Sequence, residues 1–79
     1  MGGETGAKRK VYTFAEQDYR FGVGPLRLVI VRIDWSAPIR YEGEDWYEVA
    51  GMEVASDGRD MGRRSAQVRG SRLTHHRSP

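Results

Sequence analysis

The sequence predicts an all-β fold, a small five-stranded antiparallel barrel with bulged strands and flexible basic termini. Three observations carry that expectation. Apolar residues recur with a period of two rather than 3.6, Gly and Pro punctuate the chain at turn spacing, and the alternation changes phase twice. A phase change within a strand marks an inserted residue, and bulged strands are how very small barrels close with few strands. The 79 residues and 9.0 kDa suffice for one small core.

Gly2, Gly3 and Gly6 followed by Lys8, Arg9 and Lys10 read as a flexible basic arm over residues 1–10. Residues 13–18 fit one helical turn, with Thr13 as N-cap and Glu16 three positions on. A first short strand is expected over residues 19–21, and Gly22, Gly24 and Pro25 then turn the chain. Residues 26–35 form a long strand rich in β-branched side chains. Its apolar set shifts from Leu26, Leu28 and Ile30 on one face to Val29, Val31, Ile33 and Trp35 on the other. Residues 36–45, holding Pro38 and Gly43, read as a ten-residue loop. The next strand, 46–54, alternates with Tyr47 and Val49 inward, then Met52 and Val54, which places a bulge at Ala50-Gly51. Asp57-Gly58 marks a hairpin turn. The return strand over 64–69 carries Ala66 and Val68 inward, and a last strand or 3₁₀ turn over 71–73 brings Leu73 back to the core. The barrel domain spans residues 11–73, and a polar tail over 74–79 follows.

Five short antiparallel strands with a bulged central strand, a hairpin and a terminal turn resemble the SH3-like small barrels in strand order and spacing. The resemblance covers about residues 18–73. It rests on that arrangement, since the Ala-Leu-Tyr-Asp-Tyr-type opening of SH3 signalling domains is absent.

Composition narrows the function. With no Cys, the chain has no disulfide, thiolate zinc site or Cys nucleophile. Gly22-Val23-Gly24 runs into a strand, not a helix, so it is a structural turn rather than a dinucleotide or phosphate loop. The only histidines, His75 and His76, fall in the expected tail, and Glu42, Glu44 and Asp45 read as a solvated face. No catalytic residue, metal set or cofactor is expected, and the chain reads as non-enzymatic. No apolar run reaches the length that spans a bilayer and no targeting signal is evident, so a cytoplasmic location is expected.

Charge is distributed unevenly. The formal net of +2 resolves into +2 over residues 1–10, −5 over 11–58 and +5 over 59–79. Eleven of the 13 basic residues are Arg and there is no Asn. That bias fits a GC-rich, bacterial genome and weakens Arg content as a sign of phosphate recognition. An acidic body makes a poor polyanion binder and leaves that role to the ends.

Two partner surfaces follow. Tyr41, Glu44, Asp45 and Trp46, around the expected long loop, combine aromatic rings with carboxylates, as a surface for a cationic or Pro-rich peptide of a protein partner does. Tyr19 and Phe21 approach from the first strand, while Trp35 and Tyr47 are better read as core aromatics. Alternatively Arg59, Arg63, Arg64, Arg69 and Arg72 neutralise nucleic-acid phosphates.

Overall fold

The computed structural model describes residues 10–74. They form a four-stranded antiparallel sheet in the order β1-β2-β3-β4: β1 (Tyr12–Phe14), β2 (Leu26–Tyr41), β3 (Glu44–Val54) and β4 (Asp60–Arg69). The sheet curls into a half-barrel. Two 3₁₀ turns, Glu16–Asp18 and Gly70–Arg72, complete the chain. The all-β class is as predicted, with four strands in the sheet where five were expected. Among the described residues no helix is long and apolar enough to cross a membrane. The predicted arm over 1–10 and tail over 74–79 lie outside the described residues, apart from Lys10 and Thr74.

The first strand is displaced from its predicted place. Thr13 caps no helix but pairs with Arg27, and the helical turn begins after Ala15 without a side-chain cap. Residues 19–21 make a single bridge, Tyr19 to Val68, supported by the Arg20 N–H donating to the Gln67 carbonyl at 2.9 Å. Phe21 cannot continue that pairing, because its φ of 68° is left-handed.

The largest correction concerns residues 36–45. They are not a loop: β2 runs on to Tyr41 and β3 starts at Glu44, joined by Glu42-Gly43 alone. Both turn residues have positive φ, 52° and 77°, the geometry of a tight hairpin turn whose twist matches that of its strands. Pro38 is tolerated because β2 and β3 lose register between Asp34 and Ile39, so no ladder bond is asked of its missing N–H. β4 also starts four residues earlier than predicted, with its own register shift opposite Glu53 and Val54.

Directly paired residues share a face of the sheet. The core face carries Leu26, Leu28, Tyr47, Val49, Ala66 and Val68, and Phe14, Tyr19 and Leu73 close over it. Ile30, Ile33 and Trp35 pack against the same cluster. Of the two predicted phase changes, the one on β2 is therefore real, its extra residue Val31 lying between the pairs Ile30–Gly51 and Arg32–Ala50, while β3 has no inserted residue at Ala50-Gly51. Met52 consequently lies with Val29 on the outer face, whereas Val54 is buried. Gly51 has no left-handed φ. It is needed for space, since a Cβ there would sit 2.3 Å from the Val29 carbonyl oxygen.

A local contact shapes the irregular stretch of β2. Asp34 Oδ1 accepts from the Ser36 hydroxyl at 2.6 Å and from the Ser36 N–H at 3.1 Å. These bonds, the hydroxyl first, and the nearby Arg32 charge hold the Asp34 carboxyl below its ordinary value of 3.8. A folded value below the unfolded one adds stability that is present above the unfolded pKa and is lost as pH falls through the folded one. Ser36→Ala is expected to move the Asp34 titration upward in carboxyl-carbon NMR, and an unmoved titration would remove the Ser36 bonds as its cause.

Candidate functional site

The hairpin joining β2 and β3 brings Tyr41 and Trp46 together on the outer face, where Ile39 pairs with Trp46 and Tyr41 with Glu44. The two rings meet edge to face with centroids 5.8 Å apart, and Trp46 Nε1–H donates to the Tyr41 carbonyl at 3.1 Å. Trp46 is buried while Tyr41 stays 38% exposed. A large ring is buried on the outer face because the Arg69 guanidinium covers it, 4.9 Å from its centroid.

Arg69 is the hub of this region. Its Nη1 meets Glu44 Oε2, its Nη2 donates to the Gln17 carbonyl at 2.8 Å, and its Nε lies 3.1 Å from Asp18 Oδ1. The Nε–H is not aimed at Asp18, so that contact is ionic without being a hydrogen bond. Asp18 is the buried carboxylate of the core, and its Oδ2 also lies 3.1 Å from Arg72 Nε. One carboxylate thus ties the first 3₁₀ turn to the end of β4 and to the second turn. Glu44 is therefore spent on an internal charge. Asp45 points to the opposite side of the hairpin and pairs with Arg40 at 3.0 Å.

Of the four residues predicted to contact a partner, the structure brings Tyr41 and Trp46 into one cleft and turns Asp45 away. Glu44 stays on their face, paired with Arg69. Trp35 and Tyr47 occupy the core side as expected, edge to face at 4.9 Å.

Arg20 completes the cleft, and sequence reasoning missed it. Its guanidinium lies 3.9 Å from the Tyr41 ring centroid and 4.5 Å from that of Phe21, with Nη1 donating to Gln67 Oε1 at 3.1 Å. Phe21 leaves the β4 edge in its left-handed conformation and is 78% exposed. Together with Gln17, Tyr19 and Glu42 these groups line an open cleft of about 390 Å³. The available signal was the run Tyr19-Arg20-Phe21, whose middle residue stacks only because the edge bridge holds it over Tyr41.

Four of the five arginines predicted for nucleic acid hold carboxylates. Arg59 pairs with Asp57 at 2.9 Å, Arg64 with Glu53 at 3.2 Å, and Arg69 and Arg72 with Asp18. Arg63 is in no ion pair among the described residues. Fold and cleft define a small all-β chain that presents a stack of aromatic rings and a guanidinium at one end of a curled sheet. No known protein family, curated protein or solved structure matches it.

Proposed function

We propose that the chain is a non-catalytic, SH3-like interaction module that holds an extended segment of a protein partner in the cleft between Phe21 and Tyr41. The observation that carries this reading is Phe21. A left-handed conformation costs a non-Gly residue about 1–2 kcal/mol, and an exposed ring does not recover that from the core. Aromatic rings are favoured anchors at interfaces, and aromatic-lined grooves accept the preformed helix of Pro-rich segments.

The charges refine the partner. Glu44 and Asp45 are already paired with arginines, which leaves Glu42 as the one cleft carboxylate in no ion pair among the described residues and reduces the basis for selecting a cationic peptide. Arg20 is held by rings and by a neutral amide, leaving its charge for a carboxylate or carbonyl of the partner. An extended Pro-containing segment with an acidic flank fits best. The SH3-like comparison is supported by the Tyr19 bridge, which covers the outer edge of β4 at Val68 as a fifth strand would.

An NMR titration with Pro-rich peptides carrying acidic or basic flanks tests this. Shifts are expected at Arg20, Phe21, Tyr41 and the Trp46 indole N–H, stronger for the acidic flank. Phe21→Gly separates binding from folding. Relief of the left-handed strain and the added chain entropy of Gly nearly cancel, so stability should stay within about 0.5 kcal/mol while binding is lost. Peptide binding that survives Phe21→Gly, or that shifts other residues only, would refute the proposal.

A further inference from the structure

The other half of the outer face has a different character. Strand register aligns Val29 with Met52 and Arg63, and Arg32 with Ala50 and Ser65, while Arg27 lies beside Thr13 on the same face. Arg27, Arg32 and Arg63 are in no ion pair among the described residues, in contrast to the partnered arginines at the hairpin and turn. Arg32 and Arg63 are exposed and Arg27 half-buried.

We propose that this face binds the phosphate backbone of a nucleic-acid duplex through Arg27, Arg32 and Arg63. Charge complementarity carries the choice of partner. Three guanidinium groups stand on strands in no ion pair among the described residues, and Asp34, within the field of Arg32, and Glu48 form the next row, bounding the positive area on one side. Along β2, with one position taken up by the Val31 bulge, Arg27 and Arg32 stand about 14 Å apart, and Arg63 lies two strands away, about 10 Å across. That spread is comparable with the width of a major groove, about 12 Å, which phosphates line on both sides. Val29, Met52 and Ala50 between the arginines are half-buried and Val31 and Met61 beside them are exposed, but these aliphatic groups are not the large aromatic anchors that dominate protein hot spots. Nor does any aromatic ring stand among these residues. Single strands are held by stacking their bases on such rings, so a duplex, recognised through its backbone, is the matching form.

The test is fluorescence anisotropy of the full chain with a labelled 20-base-pair duplex between 25 and 200 mM salt. Three phosphate contacts predict a slope of about −2.7 in log K against log salt. Joint replacement Arg27→Gln, Arg32→Gln and Arg63→Gln should cut affinity at least tenfold and remove about that much slope. Phe21→Gly should leave both unchanged, so that failure of this face and failure of the cleft are read separately. Should the triple variant misfold by circular dichroism, Arg63→Gln alone is expected to lower the slope by about 1. Absence of duplex binding at 25 mM salt overturns the proposal. So does tighter binding of single strands or polyglutamate, or a slope carried entirely by Lys8, Arg9 and Arg77, seen when those three become Gln.

Discussion

Gly51→Val is expected to destabilise the fold by about 3 kcal/mol. The added Cβ would stand 2.3 Å from the Val29 carbonyl oxygen and 3.2 Å from the Ile30 Cα, and backbone cannot rotate away as a side chain does. Relief requires β2 and β3 to separate at the Val31 bulge, which also sets the phase of Ile33 and Trp35 against the core. A domain of this size holds roughly 3–10 kcal/mol in total, so the loss approaches its whole stability. Thermal unfolding followed by Trp fluorescence should show a midpoint lower by about 12 °C or more. Ala50→Val, one residue away on the outer face, is the control and should stay within about 0.5 kcal/mol. A Gly51→Val variant as stable as that control would mean that the two strands do not approach this closely.

Leu73→Ala should cost about 3 kcal/mol, although Leu73 lies after the last strand. Its side chain is 0% exposed, packed in the core cluster, and its N–H closes the 3₁₀ turn on the Gly70 carbonyl at 2.9 Å. Truncating it leaves a cavity at the open end of a half-barrel with few other groups to fill it. Leu73→Met keeps the volume and should cost less than about 1.5 kcal/mol. Urea unfolding of the two variants checks this, and equal midpoints would show that Leu73 contributes little packing.

Period-two patterning is a local property, and the features that depend on it were legible. The apolar alternation placed β2 and β3, the Asp57-Gly58 turn placed the hairpin before β4, and isolated Leu73 was assigned to the core because nothing else in that stretch is apolar. The phase change on β2 was legible too, but a second insertion was read into β3 at Ala50-Gly51, where there is none. A bulge is a mismatch between two strands, so one strand alone shows that a residue is inserted without showing whether it or its neighbour carries the insertion.

The hairpin at Glu42-Gly43 was misread because Pro38, Gly43 and four charged residues resemble a loop. Only pairing of Arg40 and Tyr41 with Asp45 and Glu44 reveals strand there. That misreading affected the candidate site directly, since a tight hairpin puts alternate residues on opposite sides. Tyr41 and Trp46 therefore meet while Asp45 faces away.

By itself the sequence determined the all-β class, most of the core and an aromatic cluster centred on Tyr41 and Trp46. Each of these follows from hydrophobicity and turn chemistry over a few neighbouring residues. Tertiary structure alone decided which charges remain available. Asp18, Glu44 and Asp45 meet Arg69, Arg72 and Arg40 through strand pairing and chain reversal, and this leaves Arg20 over the aromatic rings and Arg27, Arg32 and Arg63 on the outer face. Ion pairing depends on distances of a few ångströms between residues up to 54 positions apart, as between Asp18 and Arg72, and no pattern along the chain encodes such distances.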